Sequence, residues 1–284
     1  MYFGRRQTTS SHDNNIYVND LQAMDLTPRT IIIEPKAAHT HTVVFLHGRG
    51  DTAPHFYQSI THDTDIRGRT YEAAFPSFRW VYPQAAMGNR ARFPRDKTSQ
   101  WFDVWNAKDF SEREELQVQG LRDSVDLIRG VLEAEAAALG GRWNRVILAG
   151  ISQGAATGVH ALINLSLPLG ALGLCGFLGF SCRMPFAGRT LEATRQVLGL
   201  QSTPGNAQVL EHTPVLLEHC VNDPLVGVQH GRALRETLRS FGATVNWKEY
   251  PDGRHWFNSP NGTEDAMMFI EQLISRESRM DVSG

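Results

Sequence analysis

Residues 145–165 read Arg145-Val146-Ile147-Leu148-Ala149, then Gly150-Ile151-Ser152-Gln153-Gly154, then Ala155-Ala156-Thr157-Gly158-Val159-His160-Ala161-Leu162-Ile163-Asn164-Leu165. The first part is continuously apolar after its arginine, as a strand buried on both faces of a sheet must be. The last part is a helical pattern from Gln153 to Leu165. Between them lies a G-x-S-x-G, in which the flanking glycines remove the Cβ atoms that would clash in a tight strand-to-helix turn. A serine in such a turn is held out at the end of a sheet, beside the free N–H groups of a helix start. A plain glycine–serine turn that caps a helix is the bland alternative, and the strand before it and the helix after it weigh against that reading.

Working outward, the same alternation recurs. Short β-rich runs are expected at Thr30–Glu34, Thr42–His47, Arg79–Tyr82, Arg145–Ala149, Leu169–Leu174, Pro214–His219 and Thr244–Tyr250. Helical patterns are expected at Glu112–Leu139, Gln153–Leu165, Leu191–Leu198, Val228–Phe241 and Glu264–Ser275. In the longest of these, Leu121, Val125, Ile128, Leu132 and Leu139 keep helical spacing. Ser111 with Glu114 reads as a capping box, and Gly140-Gly141 as the stop. Strands alternating with helices predict an α/β fold: a mainly parallel sheet with helices on both faces. Thr30–Glu34 and Thr42–His47 lie close enough in the chain to form an antiparallel pair.

Residues 1–29 read as a polar arm, 30–278 as one domain and 279–284 as a tail. Two stretches resist the alternation. Asp51–Asn106 shows one convincing strand, and Gly179–His212 reads as a cap-like insertion; long irregular segments of this kind often wall a binding site.

With 28 Lys and Arg against 30 Asp and Glu, the charge is close to balanced, which argues against a nucleic-acid partner bound through its phosphates. No apolar run approaches the roughly 20 residues of a spanning helix. The N-terminus lacks an apolar signal core, and the 3 cysteines form neither a disulfide frame nor a zinc site. The expectation is a reduced, cytoplasmic protein with no transmembrane segment.

A serine nucleophile needs a base and a group that orients the base. In α/β-hydrolases the chain order is Ser, acid, His. Only His230 and His255 lie downstream of every likely acid; His230 falls within a helical pattern, whereas His255 follows the last strand in Pro251-Asp252-Gly253-Arg254-His255. A loop at a strand's C-terminal end is where such sheets carry functional groups, and His255 is the choice. Asp223, after Pro214–His219, is favoured as the acid over Asp252, which lies so near His255 that an Asx turn suits it better. The turn Leu46-His47-Gly48-Arg49-Gly50-Asp51 after an apolar strand suits an oxyanion hole, whose second donor is the Gln153 N–H after the serine. His47 precedes the serine and suits a structural role; Asp51 suits bracing of its loop.

These segments resemble the acyl-protein thioesterase / phospholipase–carboxylesterase family of α/β-hydrolases. The motifs are Phe45-Leu46-His47-Gly48-Arg49-Gly50-Asp51, Trp101-Phe102-Asp103, Gly150-Ile151-Ser152-Gln153-Gly154-Ala155, Leu174-Cys175-Gly176-Phe177-Leu178, Asp223-Pro224-Leu225-Val226 and Gly253-Arg254-His255, spanning roughly residues 40–275. The resemblance implies the α/β-hydrolase fold, a Ser152–Asp223–His255 triad, and an oxyanion hole from the Arg49 and Gln153 N–H groups. It needs no cofactor or metal. The chain departs from the family in a cation at Arg49, in Cys220 after His219, in Trp256 and Phe257 after His255, and in the length of Gly179–His212. The family is also similar to fungal stand-alone thiohydrolases that take polyketide chains off carrier proteins.

For an acyl pocket, Trp101, Phe102, Phe177, Leu178, Met184 and Trp256 are the expected lining. Three functions are expected to compete. One is an esterase or thioesterase acting on small esters or acylated proteins. Another is a thiohydrolase or lactone-forming enzyme meeting an acyl carrier protein, with Arg49 on its phosphate arm. The third is a non-catalytic ligand binder of the same fold.

Overall fold

The structure, a computed structural model, describes residues 30–283. The expected polar arm, 1–29, lies outside the described residues. Seven strands form the main sheet: β1 (Ile31–Ile33), β2 (His41–Leu46), β3 (Phe78–Tyr82), β6 (Val146–Ile151), β7 (Gly176–Phe180), β8 (Val215–Cys220) and β9 (Val245–Tyr250). The strands β4 (Met87–Arg90) and β5 (Phe93–Ser99) make a separate antiparallel hairpin. The sheet order is β1-β3-β2-β6-β7-β8-β9. Every neighbouring pair is parallel except β1 with β3.

Among the described residues eight α-helices surround it: α1 (Ala53–Ile60), α2 (Tyr71–Ala74), α3 (Gln117–Ala138), α4 (Gln153–Ile163), α5 (Leu191–Leu198), α6 (Gln208–His212), α7 (Val228–Ser240) and α8 (Asn261–Ser283). Alternate strand residues point to opposite faces and build two cores. Val44, Leu46, Val146 and Leu148 meet Leu121, Val125 and Ile128 of α3, Val159 of α4, and Leu234 and Leu238 of α7. Val43, Phe45, Ile147 and Ala149 meet Phe56 and Ile60 of α1, and Met267 and Ile270 of α8. The chain leaves β2 for β3 on one side and returns to β6 on the other. This reversal of winding opens a crevice at the C-terminal ends of β2 and β6, where such sheets bind ligands.

Several expectations need correction. The antiparallel partner of β1 is β3, not β2, because the connector between β1 and β2 is pinned to Pro76 O by Lys36 N and Ala37 N and to Ser77 O by Thr40 N. Residues 169–174 are not a strand. Gly170 sits at φ +92°, Ala171 N donates back to Pro168 O, and Leu169 and Leu172 face solvent; the paired strand is β7. The capping box is absent: Ser111 Oγ donates to Asp109, Glu114 accepts from Phe186 N, and a 3-10 turn, Glu114–Leu116, leads into α3. The glycine stop holds, with Gly140 and Gly141 at φ +71° and +82° and Gly141 N bonded to Ala136 O. The expected tail is helical to Ser283. Within 179–212, α5 packs on α3 and α4.

Candidate active site

Ser152 joins β6 to α4 at φ 55°, ψ −121°, a conformation costly for any residue with a Cβ. Its N–H is held by Phe180 O at 2.8 Å. The two motif glycines answer steric demands. A Cβ on Gly150 would sit 2.6 Å from Ala155 N, and one on Gly154 would collide with the carbonyl oxygens of Leu46 and His47. Removing both lets α4 start directly against the end of β2.

His255 Nε2 lies 2.8 Å from Ser152 Oγ, and its Nδ1 lies 2.7 Å from Asp223 Oδ2. The carboxylate accepts, so Nδ1 carries the proton and Nε2 is left to accept the serine O–H. Asp223 follows β8, and its other oxygen accepts the N–H groups of Leu225 (2.8 Å) and Val226 (3.0 Å). His219 Nε2 stands 3.3 Å from Asp223 Oδ2 and 2.7 Å from Val226 O. Burial works to raise the Asp223 carboxyl, but hydrogen bonds from His219, His255 and the Val226 N–H outweigh it and hold the group well below the usual carboxylate range. Sequence reasoning missed His219 as a second support for this acid; its place four residues upstream on the adjoining strand was the available signal.

The histidine loop depends on a left-handed turn. Gly253 has φ +119°, where a Cβ would also press on Cys220 Sγ, and Arg254 N donates to Asn222 Oδ1 of the acid loop at 2.8 Å. Asp252 stays away from the imidazole and accepts Asn258 Nδ2 at 3.0 Å.

The loop after β2 completes the crevice. A Cβ on Gly48 would lie 3.7 Å from Ser152 Cβ, so this turn flanks the serine. His47 Nε2 accepts the Ala85 N–H (3.1 Å), which leaves Nδ1–H to donate to Gly48 O (2.7 Å). His47 therefore shapes the turn, and its buried ring is pulled toward the neutral form by desolvation. Asp51 accepts from Thr52 N and His55, bracing the same loop. Gln153 clamps the next segment: Trp101 N donates to its Oε1 (2.9 Å) and its Nε2 donates to Phe102 O (2.7 Å). As the first residue of α4, Gln153 has no intrahelical acceptor for its own N–H.

The sequence pattern of the phospholipase/carboxylesterase family matches residues 28–275. The chain belongs to that family. Membership makes it an esterase- and thioesterase-class hydrolase, and the sheet is the α/β-hydrolase fold. It is 27% identical over 202 residues to acyl-protein thioesterase 1 of Schizosaccharomyces pombe, covering 69% of this chain and 75% of that one. It is 29% identical over 256 residues to a probable inactive carboxylesterase of Oryza sativa subsp. japonica, covering 86% and 89%. The crystal structure of Zea mays acyl-protein thioesterase 2 superposes with a TM-score of 0.66 at 24% identity, covering 86% of this chain and 98% of that one.

In this member of the family, the serine opens onto a cleft of about 310 Å³. Of the residues expected to hold an acyl chain, Phe102 and Trp256 line it. Trp101, Phe177, Leu178 and Met184 do not: Trp101 packs on His47 and donates to its carbonyl, Phe177 fills the space left by Gly158, and Leu178 and Met184 belong to the two cores. The cleft instead takes Val104, Phe110, Leu225 and Val226, from loops without hydrophobic periodicity. Of residues 179–212 only Arg183 reaches it. Arg49 lines the mouth, its guanidinium spent on Gln100 Oε1 (3.0 Å) and Asp103 Oδ1 (3.5 Å). Trp256 donates to Asp63 at 3.0 Å, and burial pushes that carboxyl up to about 6 against the pull of the indole N–H.

Proposed function

We propose that the chain hydrolyses acyl esters and thioesters, with Ser152 as nucleophile, His255 as general base and acid, and Asp223 as the group that orients and charge-balances the imidazole. The observation that carries this is the continuous hydrogen-bonded line from Ser152 Oγ through His255 to Asp223, opening on a mostly apolar cleft. His255 Nε2 takes the serine proton as Oγ attacks the acyl carbonyl. The negative charge forming on the carbonyl oxygen is met by the N–H groups of Arg49 and Gln153. Collapse of the tetrahedral adduct expels the leaving group, and His255 returns the proton to the alcohol oxygen as the bond breaks or to the thiolate after it has left, so the imidazole is neutral again. Water, deprotonated by the same nitrogen, then releases the acid and regenerates Ser152. The short contact of Asp223 with His255 stabilises the imidazolium formed twice per cycle.

The substrates of this reading are small acyl esters or thioesters, or acylated proteins, handled in the cytoplasm. The relatives named acyl-protein thioesterase support the thioester class. A carrier-protein substrate draws no support from Arg49, whose charge already meets Asp103. The test is the turnover of a short p-nitrophenyl ester by wild type and Ser152→Ala. Loss of the nucleophile in serine proteases costs about 10⁶ in kcat, and a similar collapse is expected here. A variant within tenfold of wild type would remove Ser152 from the mechanism; a wild type with no turnover of any ester or thioester would leave a binding protein of hydrolase fold.

A further inference from the structure

Arg183 lies in the turn Ser181-Cys182-Arg183-Met184-Pro185-Phe186 after β7, only 7% exposed, and it lines the same cleft as Ser152. Its surroundings do not answer its charge. Among the described residues its one side-chain hydrogen bond runs from Nη2 to Gln117 Oε1 at 2.8 Å, and no carboxylate stands within 4.0 Å of it. The guanidinium carbon sits 4.1 Å from the Phe110 ring centroid and 5.8 Å from that of Phe102. Glu114 acts on it from beyond ion-pair distance, while its Oε1 accepts Phe186 N. Cys182 is no counter-ion, because burial pushes its thiol up to about 12. His230 and His160 also feel the cation, which drives both toward neutrality after burial has done so. Burial draws Arg183 itself down to about 10, so it stays charged at neutral pH.

Arg195, equally buried at 7%, shows what a structural arginine looks like in this fold. It donates to three carbonyls, Ile163 O (2.6 Å), Pro204 O (2.9 Å) and Asn206 O (2.9 Å), and does not line the cleft. The remaining Arg183 nitrogens are not fully enclosed: they open on the cleft, where a bound group can supply the acceptors. Among the described residues the one carboxylate on the cleft wall, Asp51, is engaged by Thr52 and His55.

We infer that Arg183 is a specificity-determining residue that receives a carboxylate carried on the acyl chain, so that the preferred substrate is a monoester or monothioester of a dicarboxylic acid. Phe102, Val104 and Phe110 pack the intervening methylenes, and the planar fork of the guanidinium matches a carboxylate in two-point contact. The inference rests on the proposed reading of the Ser152 site and narrows its substrate.

The experiment compares kcat/KM for p-nitrophenyl hexanoate with that for mono-p-nitrophenyl adipate, and the equivalent pairs from succinate to suberate, on wild type, Arg183→Met and Arg183→Lys. The quantity read is the ratio within each enzyme, which cancels any loss of folded protein. At the best chain length, wild type should favour the carboxylate-bearing ester by about ten- to hundredfold, the range expected of a charge-assisted contact. Arg183→Met should bring the ratio to one or below, and Arg183→Lys should keep part of it. A wild-type ratio near one at every length, or a ratio untouched by Arg183→Met, overturns the inference. A second pair, a coenzyme-A thioester against an N-acetylcysteamine thioester of the same neutral acid, locates the anion. A preference that Arg183→Met abolishes only in this pair puts the anion on the leaving group and overturns the acyl-side assignment. If no ester is turned over, the hydrolase reading fails, and Arg183 is still tested by thermal stabilisation. Monomethyl adipate should then raise the Tm of wild type more than methyl hexanoate does, and lose that advantage in Arg183→Met; equal effects refute it.

Discussion

At the residue scale, the site separates two aspartates that the sequence sets on either side of its last strand. Asp223 has both oxygens engaged, one by His255 and the other by two backbone N–H groups, whereas Asp252 spends its side chain on Asn258. Asp223→Asn presents an amide to His255 Nδ1 and favours the wrong tautomer. A loss of about 10⁴ in kcat is expected, as for the same exchange in a serine protease. Asp252→Asn should cost less than about tenfold. Steady-state kinetics on one ester checks the ranking, and the reverse order would move the orienting role to Asp252. Asp63 gives a pH test. Its carboxyl is raised from 3.8 to about 6 in the folded protein, so the native state holds a proton that the unfolded chain has released. This contribution favours folding below about pH 4 and is lost as pH rises to about 6. Between pH 4 and 7 wild type should therefore lose about 2–3 kcal/mol relative to Asp63→Asn, read by denaturant unfolding at each pH. Parallel stability curves would mean that Asp63 titrates normally.

At the element scale, the strand–turn–helix around Ser152 was legible because each of its parts obeys a local rule: an apolar strand, two glycines, a helical pattern. The same rules explain the errors. Residues 169–174 have a strand's apolarity, but Pro168 and a left-handed Gly170 turn them into an exposed loop. The β4–β5 hairpin escaped because its residues are polar and mostly exposed, so no alternation marks it. The cleft residues Val104, Phe110 and Arg183 sit in irregular segments whose meeting is decided by tertiary packing alone. The close approach of α4 to β2 makes a sharp prediction. Gly154→Ala would drive a methyl into the Leu46 and His47 carbonyl oxygens, which are backbone and cannot swing away. A loss of about 1–3 kcal/mol or more is expected by thermal or chemical unfolding. Gly130→Ala, in α3 with open space at its Cβ, should instead be neutral or stabilising. Equal stability of the two variants would contradict the packing described.

At the scale of the whole molecule, the winding of the sheet explains why residues from distant parts of the chain converge. The reversal between β2 and β6 brings the Gly48–Arg49 turn beside Ser152. The parallel strands β8 and β9 carry Asp223 and His255 to the same edge, and the Arg254–Asn222 bond ties their loops together. Chain order was enough to propose Ser152, Asp223 and His255. It was not enough to find the walls of the cleft, which depend on the loops between the strands. The central claim is that this convergence makes Ser152 a nucleophile, and intact-protein mass spectrometry after exposure to a fluorophosphonate tests it most directly. The account predicts one covalent adduct per wild-type chain, mapped by peptide sequencing to Ser152, and none on folded Ser152→Ala. An unlabelled wild type, or an adduct on any other residue, would contradict it.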